Sequence, residues 1–522
     1  MSQISVNHLT FYYEGSPENI FEDVSFQIDT DWKLGFVARN GRGKTTFLKL
    51  LLGSSGKHIP GEKEMYEYRG SITSSEKFDY FPFTVNLPEK DTIEIVEELY
   101  PDYEFWKICR ELSLLDVEAD VLYRPFYTLS NGEQTKIMLG ILFSMEEKFL
   151  LIDEPTNHLD GEARKLVKKY LKSKKGFLLV SHDRDFLDEC VDHVLVINKT
   201  NIEVYQGNFS SWWEQKKRQD AYELSENERL QKDIRRLTET ARRTKEWADN
   251  VEATKIGRGS EKYEKCKDTR AYVGEKSRRM QMRRKNLEHR QQKELTEKSQ
   301  LLKNIETAEE LKLYPVRHVK EQLVRFEDVQ IYYGARYLKQ LSFEICNGDC
   351  VALQGKNGCG KSSVIKAILQ QAGMDFGTNA ADTIDNRIIN YTGKIVTAGG
   401  LKISYIPQDS SFLRGGLKEY GEARQLVMPV FLALLRKLDL EREQFEKNLE
   451  DYSAGQQKKV LIAASLCEQA HLYIWDEPLN YIDVFSRMQI EELLRKYRPT
   501  LLLVEHDRTF VDNLCNKVIS CE

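Results

Sequence analysis

Two segments of the sequence have the residue types and spacing of a phosphate-binding loop. The clearer one runs Gly355-Lys-Asn-Gly-Cys-Gly-Lys361-Ser362 and follows the apolar, strand-like stretch Val351-Ala-Leu. Glycines let backbone N–H groups turn towards phosphate oxygens, and the N-terminus of the helix that should follow adds positive potential. In this pattern Lys361 reaches the β- and γ-phosphates and Ser362 binds Mg²⁺. The segment therefore predicts a nucleoside triphosphate site at the end of a strand.

The other loop departs from this pattern at one position. It runs Ala38-Arg-Asn-Gly41-Arg-Gly43-Lys44-Thr45, so alanine replaces the first glycine. Alanine tolerates a left-handed backbone poorly, and the sequence therefore predicts a turn that is slightly rebuilt or strained at this residue. The remaining residues keep the pattern, and we expect ATP to bind here as well.

A pair of carboxylates follows a second apolar stretch in each half of the chain. Asp153 and Glu154 end the first of these stretches, and Asp476 and Glu477 end the second. In a nucleoside triphosphatase such an aspartate holds Mg²⁺ through water, and the glutamate polarises the attacking water as a general base. The alternative is that the glycine loop and the carboxylates are surface features that bind no nucleotide. It does not account for the occurrence of both motifs together in each half of the chain.

The motifs occur twice in the same order and at a nearly constant separation. Asn-Gly-Arg-Gly-Lys44 returns as Asn-Gly-Cys-Gly-Lys361, and His182-Asp-Arg returns as His506-Asp-Arg. Repeated motifs of this kind indicate a duplicated domain. The predicted fold class is α/β, with two P-loop nucleotide-binding domains joined by a long antiparallel α-helical hairpin. We expect the domains to span residues 1–213 and 319–522, with the hairpin over 214–318.

The segment between the two copies has its own composition. Leu230, Ile234, Leu237 and Ala241 recur at helical spacing, and Met280, Leu287, Leu295 and Leu302 recur at intervals of seven or eight. This pattern predicts two long helices with a narrow apolar seam. The segment from Arg242 to Arg290 contains 16 lysine and arginine residues and 8 aspartate and glutamate residues. The excess predicts a polyanionic partner, although a solvated helical face would show the same charge.

Bulk composition excludes several other classes of protein. No run of about 18 apolar residues occurs, and the N-terminus lacks the basic start and apolar stretch of a secretory signal. We therefore expect no membrane span and a cytoplasmic location. The nine cysteines are scattered without a CxxC pair, which is typical of reduced thiols and argues against a zinc or iron–sulfur module.

Two further motifs narrow the choice among nucleoside triphosphatases. Leu129-Ser-Asn-Gly-Glu-Gln134 closely resembles the LSGGEQ signature of ABC ATPases, and Tyr452-Ser-Ala-Gly-Gln-Gln457 is a degenerate version of it. In that family each signature covers the ATP held by the opposite domain. The resemblance implies that Ser130 and Gly132 complete the Lys361 site, while Ser453 and Gly455 complete the Lys44 site.

The same resemblance assigns the remaining positions. Tyr13 and Tyr333 match the aromatic residue that stacks on adenine, although either is also typical of a core strand. Gln408 matches the glutamine that senses Mg²⁺ and the γ-phosphate, whereas Phe83 occupies its place in the first copy. His182 and His506 match the switch histidine beside the catalytic Glu154 and Glu477, and Asp160 and Asp483 match the D-loop. The predicted cofactor-binding residues are Tyr13, Asn40, Gly41, Gly43, Lys44, Thr45, Thr46, Ser130, Gly132, Tyr333, Asn357, Gly358, Gly360, Lys361, Ser362, Ser363, Gln408, Ser453 and Gly455, and the predicted Mg²⁺ ligands are Thr45, Asp153, Ser362, Gln408 and Asp476.

The departures from the family pattern cluster at one site. The Lys44 site would contain Ala38, Phe83 and the weaker signature, whereas the Lys361 site has every expected group. We therefore expect unequal hydrolysis, with faster turnover at the Lys361 site.

Twin cassettes and a charged helical linker resemble the ABC-F family. Some translation factors of that family carry an extra arm inside the first cassette, and this sequence leaves no room for one. In this respect, and in its long linker, the chain resembles the antibiotic-resistance branch of the family, in particular Lsa-type proteins. This resemblance implies that the ATP-closed form binds the ribosomal E site, displaces P-site tRNA and expels lincosamide, streptogramin A or pleuromutilin drugs. The linker would contact 23S rRNA through Arg278, Arg279, Arg283, Arg284 and Lys285. The chain would act as a monomer whose two cassettes pair within the molecule.

Two alternatives remain open at this point. A housekeeping ABC-F translation factor would have the same motifs without drug specificity. The ATPase subunit of an ABC exporter would explain both cassettes but leaves the basic linker of about 100 residues without a purpose.

Overall fold

The computed structural model describes most of the two cassettes and the first helix of the linker. The described residues are 2–13, 19–56, 67–85, 87–145, 148–157, 159–198, 201–253, 315–333, 336–337, 340–356, 358–373, 389–440 and 442–521. The predicted second linker helix, with its arginine-rich segment at 278–285, lies outside these residues, as does Asn357.

The first cassette alternates strands and helices after an antiparallel start. Its strands are β1 (Gln3–Phe11), β2 (Phe21–Asp29), β3 (Lys33–Val37), β4 (Arg69–Ser74), β5 (Lys77–Phe81), β6 (Lys148–Asp153), β7 (Phe177–Val180), β8 (His193–Asn198) and β9 (Asn201–Gln206). Its helices are α1 (Lys44–Ser54), α2 (Thr92–Leu99), α3 (Phe105–Leu114), α4 (Asn131–Ser144), α5 (Gly161–Lys172) and α6 (Arg184–Cys190), and α7 (Phe209–Ala253) leads into the linker.

The second cassette repeats this order of elements. Its strands are β10 (Gln322–Tyr333), β11 (Arg336–Tyr337), β12 (Leu341–Cys346), β13 (Cys350–Gln354), β14 (Asn390–Thr397), β15 (Ile403–Ile406), β16 (Leu472–Asp476), β17 (Leu501–Val504) and β18 (Lys517–Ser520). Its helices are α8 (Lys361–Gln371), α9 (Leu417–Ala423), α10 (Met428–Lys437), α11 (Ala454–Cys467), α12 (Val484–Tyr497) and α13 (Arg508–Leu514).

A parallel sheet forms the centre of each cassette. Its strand order is β5-β6-β7-β3-β8 in the first cassette, where β9 adds an antiparallel edge, and β15-β16-β17-β13-β18 in the second. The equivalent strands β7 and β17 are buried along their whole length, as their continuous apolar sequences require when helices cover both faces of a sheet. The predicted α/β class and the duplication are confirmed, because the two sheets share one strand order.

An antiparallel sheet accompanies each parallel one. Strand β1 pairs with β2 and β4 in the first cassette, and β10 pairs with β11, β12 and β14 in the second. Apolar side chains of β1, β2, β3 and α1 form one continuous core that joins the two sheets of the first cassette. Helix α1 begins directly after the loop that ends at Lys44, so the phosphate-binding loop is anchored on this core.

The chain divides into two compact units. One contains residues Met1–Trp212 and Glu309–Glu522, which include both cassettes, and the other is Trp213–Ala308. The latter contains most of α7, the described part of the predicted linker. The predicted boundaries at 1–213, 214–318 and 319–522 stay a prediction.

A buried carboxylate connects α3 to the end of α5. The Glu111 side chain is 1% exposed and accepts hydrogen bonds from Tyr170 Oη at 2.7 Å and from Lys174, while Arg110 lies 2.9 Å away. Burial alone would raise the pKa of Glu111, but the hydrogen bonds from Lys174, Tyr170 and Arg110 outweigh it and lower the pKa. The ionised form is therefore more favourable in the folded chain than in the unfolded one.

We predict that Glu111→Gln lowers the free energy of unfolding by about 3 kcal/mol at pH 7, because it leaves the half-buried Lys174 ammonium without its buried counter-charge. A carboxyl whose folded pKa is lowered stabilises the protein above its unfolded pKa of about 4.3 and loses that effect as the pH falls through the folded value. The difference between the two proteins should therefore shrink on acidification. Urea unfolding at pH 7 and below pH 4 measures it, and a difference that is constant with pH would contradict the assignment.

Candidate functional site: two nucleotide sites between the cassettes

The two phosphate-binding loops have the same backbone plan. Each runs from the carboxyl end of a central strand, β3 or β13, into the helix that begins at the loop lysine. Gly41 and Gly43 have φ values of 81° and 88°, and Gly358 and Gly360 have 80° and 98°. These left-handed conformations are readily accessible only to glycine, which explains the spacing of the motif.

Alanine at the start of the first loop does not adopt a left-handed conformation. Ala38 is not among the residues with positive φ, whereas its counterpart Gly355 has a φ of 155°. The loop therefore starts with a different backbone path in the first cassette, and the glycines after it make the turn.

Both predicted general bases lie at the carboxyl edge of the parallel sheets. Glu154 follows β6 and Glu477 follows β16, and they have φ values of 49° and 48°. A left-handed glutamate costs about 1–2 kcal/mol, so its recurrence at equivalent positions indicates a functional constraint. The backbone N–H of each glutamate donates to the last residue of the neighbouring strand, Val180 at 2.9 Å or Val504 at 3.0 Å.

At the Lys361 site three side chains lie close to the carboxylate of Glu477. Gln408 Nε2 and Asn480 Nδ2 each donate to Glu477 Oε2 at 2.8 Å, and His506 Nε2 lies 3.6 Å from Oε1. Burial would raise the pKa of Glu477, but hydrogen bonding to His506 and Gln408 and the nearby charge of Lys361 outweigh it and lower the pKa. The carboxylate is thus ionised at neutral pH and able to accept a proton.

Asp476 and Ser362 form an oxygen-rich corner of the same site. Asp476 Oδ1 is buried, and among the described residues it has no hydrogen-bond partner, while a hydrogen bond links the carboxylate to Ser362. Burial raises the pKa of Asp476 to about 6, and the Ser362 hydrogen bond opposes the rise. A buried carboxylate oxygen beside a hydroxyl is the kind of hard-oxygen ligand set that Mg²⁺ takes, so these residues fit the predicted metal.

Residues of both cassettes line the cavity at Lys361, which has a volume of about 840 Å³. From the second cassette come the loop and α8 residues Lys361, Ser362 and Ser363, together with Gly358, Gly360, Gln408, Glu477, Asn480, Tyr481 and His506. From the first come Ser130, Asn131, Gly132, Asn157, Leu159, Asp160, Ala163 and Arg164. The first cassette's signature and D-loop thus lie opposite the second cassette's phosphate-binding loop.

Ser130 and Asp160 also stabilise the helices that present them. Ser130 caps α4 through a reciprocal pair of bonds with Glu133, and Asp160 accepts from the Ala163 N–H at the start of α5 at 2.9 Å. Both helix N-termini face the shared cavity, where their partial positive charge suits an anionic ligand.

The Lys44 site has a different electrostatic state. Lys44 Nζ lies 3.4 Å from Asn40 Oδ1 and 3.5 Å from His182 Nε2, and His182 Nε2 lies 3.3 Å from Glu154 Oε1. Burial lowers the pKa of Lys44 and raises that of Glu154 to about 8, although the Lys44 charge opposes the latter rise. Burial therefore favours the protonated form of Glu154, whereas the contacts of Glu477 favour its ionised form.

The first copy departs from the family pattern at Phe83, which packs edge-on against Tyr100 with ring centroids 6.4 Å apart. Nearby, Tyr80 Oη donates to Asp153 Oδ2 at 2.9 Å. The hydrocarbon ring of Phe83 offers no polar group for Mg²⁺ or phosphate.

Cross-cassette contacts close the Lys44 site. Asn40 Nδ2 donates to the Tyr481 carbonyl at 2.9 Å, and Arg39 forms an ion pair with Asp439 of the second cassette. A Cβ atom on Gly455 would collide with the Tyr481 carbonyl and would come within 3.1 Å of Asn40 Nδ2. The second signature, capped at Ser453, therefore lies against the first phosphate-binding loop.

The other residues that the sequence predicts for the two sites differ in their exposure and contacts. Tyr13 Oη lies 2.8 Å from Thr46 Oγ1 at the start of α1, and its side chain is 37% exposed, which leaves a face for a base. Thr45 follows Lys44 at the start of α1 and is exposed. Tyr333 ends β10, but its side chain and Asn357 lie outside the described residues. Asp483 caps α12 and pairs with Lys459 at 3.0 Å.

Sequence reasoning missed Asn480, which holds Glu477 directly. The signal was available, because Asp-Glu-Pro-Thr-Asn157 returns as Asp-Glu-Pro-Leu-Asn480. Both asparagines line the cavity at Lys361.

Comparison with known proteins agrees with this geometry. A family model described as ABC transporter matches residues 21–157 and 338–480, which together make up more than half of the chain. The chain belongs to the ABC transporter family. It has two ABC nucleotide-binding domains, and it is an ATPase. In the part of the chain that the structure describes, no helix has the length and apolar character needed to cross a membrane.

Relatives with the same twin-cassette organisation align along nearly the whole chain, and they are ABC-F proteins. The ribosome protection protein VmlR of Bacillus subtilis is 27% identical over 510 residues, which cover 97% of this chain and 84% of VmlR. The energy-dependent translational throttle protein EttA of Mycobacterium tuberculosis is 24% identical over 546 residues, covering 96% of this chain and 88% of EttA.

A solved structure supports the fold. The archaeal ribosome recycling factor aABCE1, in complex with the ribosomal stalk protein aP1, superposes with a TM-score of 0.58 at 19% identity and covers 98% of this chain and 87% of that one. At this identity the likeness concerns the tandem ABC fold alone.

We predict that the two glutamates contribute unequally to turnover. Glu477→Gln should remove most of the ATP hydrolysis at saturating ATP, whereas Glu154→Gln should leave most of it, because Glu477 is already ionised and held by Gln408 and Asn480. Phosphate release measures both variants, and their equal ability to bind ATP is the control. Equal losses of turnover would contradict the predicted asymmetry.

Proposed function

We propose that this ATPase binds the ribosome in its ATP-closed form, occupies the E site and uses the interdomain linker to dislodge antibiotics from the peptidyl-transferase centre. The drugs are lincosamides, streptogramin A and pleuromutilins. ATP hydrolysis releases the protein. The observation that carries the proposal is the alignment with VmlR, a ribosome protection protein, over 97% of the chain including the linker.

The arrangement of the cassettes supports the ATP-dependent step. Because the cavity at Lys361 is lined by Ser130 and Gly132 of the other cassette, a triphosphate there contacts both halves and favours their closure. Lys361 binds the phosphates, Glu477 activates the attacking water, and His506 and Gln408 orient it. Asp476 and Ser362 would hold Mg²⁺, which would neutralise negative charge that develops on the phosphates.

The Lys44 site takes a second ATP in the same manner in this proposal. Lys44, Thr45 and Asp153 hold its phosphates and Mg²⁺, and Ser453 and Gly455 cover it from the other cassette. The proposed domains are 1–213, 214–318 and 319–522, and the chain acts as a cytoplasmic monomer whose cassettes pair within the molecule.

The charge of the linker supports a nucleic-acid partner. Its excess of basic residues between Arg242 and Arg290 suits contacts with 23S rRNA and P-site tRNA, whose phosphates make such binding strongly dependent on salt. EttA, a translational throttle protein, aligns over 96% of the chain, which favours a housekeeping translation factor as the second candidate.

We predict that a chain carrying both Glu154→Gln and Glu477→Gln stays on ribosomes. Hydrolysis stops while ATP binding continues, so the closed form accumulates and should sediment with ribosomes through a sucrose cushion at low salt. Raising the salt from about 50 to 200 mM should release most of it. The matched control is Lys44→Ala with Lys361→Ala, which cannot hold the phosphates and should remain in the supernatant.

Other outcomes of this experiment separate the alternatives. Recovery of the double glutamine variant in the membrane fraction would favour an exporter subunit. Sedimentation with ribosomes but no change in susceptibility to the three drug classes would favour the housekeeping factor.

A further inference from the structure

A buried lysine that does not line the cavity at Lys361 contacts the residues proposed to act in hydrolysis there. Lys458 lies in α11, five residues after the N-cap Ser453, and its side chain is 2% exposed. Its Nζ donates to the Pro407 carbonyl at 2.9 Å and to the Glu477 carbonyl at 3.3 Å. A lysine is seldom buried without a function or a partner, and here its bonded partners are two backbone carbonyls.

These two carbonyls belong to the segments that place the reacting groups. Pro407 precedes Gln408, and the Gln408 side chain donates to the Glu477 side chain at 2.8 Å. Lys458 therefore joins the main chains of two segments whose side chains meet in the cavity. It lines no part of that cavity, so it acts on the chemistry through Gln408 and Glu477.

Contacts on both of its sides hold the backbone at Glu477. Its φ of 48° lies in the left-handed region, which an L-amino acid leaves unless neighbouring contacts hold it there. The N–H of Glu477 is held by Val504, and the carbonyl is held by Lys458. A second residue of the same helix turn, Gln457, accepts from Ser410 Oγ at 3.0 Å and so fixes the segment after Gln408 as well.

The first cassette has another residue at this position. Thr135, also five residues after its N-cap serine, donates its hydroxyl to the Asn131 carbonyl one turn earlier in α4 at 2.9 Å. A threonine side chain is too short to join two distant loops in the way a lysine does. The link that a buried lysine makes between two backbone segments is thus found at the Lys361 site, whereas the first cassette has Thr135 at the equivalent position.

We propose that Lys458 is a positioning residue that holds Gln408 and Glu477 in register for ATP hydrolysis at the Lys361 site. Its loss leaves two carbonyl groups without their donor, and they would move to find water or another partner. A displacement of about 1 Å at a general base is enough to cost as much as a hundredfold in rate. ATP binding depends on Lys361 and the glycine loop and should change little. The proposal rests on the roles given to Glu477 and Gln408 but does not involve the ribosome.

The test uses the full chain carrying Glu154→Gln, so that turnover reports the Lys361 site. Lys458→Met keeps the length and removes the charge and the donors. It should lower kcat by about tenfold or more while the KM for ATP stays within about threefold. Lys458→Arg, which retains donors, should recover at least part of that loss.

A matched control separates positioning from loss of stability. Lys174→Met removes a half-buried lysine, the partner of Glu111, which does not line the cavity at Lys361. It should lower the unfolding midpoint but leave kcat at 25 °C within about twofold. Lys458→Met with unchanged kcat, or with kcat and ATP binding reduced together, would overturn the proposal.

A double variant tests the route of the effect. If Lys458 acts through the placement of Gln408 and Glu477, Gln408→Ala combined with Lys458→Met should be hardly slower than the slower single variant. Multiplication of the two losses would show that Lys458 does not act by holding Gln408 in register with Glu477 and would also overturn the proposal.

Discussion

Each glycine loop lies opposite the signature helix of the other cassette, and the proposed nucleotide sites depend on this opposition. One cassette supplies the lysine, the carboxylates and the helix N-terminus on one side of the proposed phosphate site. The other cassette supplies a capped helix N-terminus, at Ser130 or Ser453, on the opposite side. Since each cassette has one surface of each kind, pairing them head to tail creates two sites, and the cavity at Lys361 shows such a shared lining.

Parallel sheets make this arrangement possible. The carboxyl ends of β13, β16 and β17 meet at one edge, where they deliver Lys361, Asp476 with Glu477, and His506. Three motifs that are far apart in sequence are therefore neighbours in space, and the same holds for Lys44, Glu154 and His182. The left-handed backbone at both glutamates indicates that the position of the carboxylate, rather than local stability, determines the conformation there.

The two sites share a plan but differ in their electrostatics. At the Lys361 site Gln408, Asn480 and His506 surround an ionised Glu477, and Lys458 holds its backbone. At the Lys44 site burial raises the pKa of Glu154 to about 8, and the counterpart of Gln408 is Phe83. The two copies of the fold thus surround their glutamates with different contacts, and this difference is the basis of the predicted unequal hydrolysis.

Much of this site could be predicted from local sequence, because strand, glycine loop and helix are contiguous and their spacing is fixed by the backbone. The duplicated α/β fold and the placement of Lys361 beside Asp476 followed from such motifs, whereas the opposition of Ser130 to that loop was implied by the resemblance to ABC ATPases. The contacts of Lys458, Tyr80 and Arg39 did not, because each joins segments distant in sequence and no spacing rule marks them. Alanine at 38 predicted a turn that is rebuilt or strained, and the loop does take another path there, with the glycines after it supplying the turn.

The central claim is that each ATP is held by both cassettes, and binding at a single isolated site tests it directly. In a chain with Lys44→Ala and Glu477→Gln, only the Lys361 site binds ATP, and hydrolysis does not interfere. Ser130→Arg should weaken ATP binding by about tenfold or more, whereas Ser453→Arg, which removes an equivalent helix cap, should change it by less than about twofold. Equal effects of the two substitutions, or a larger effect of Ser453→Arg, would contradict the shared site.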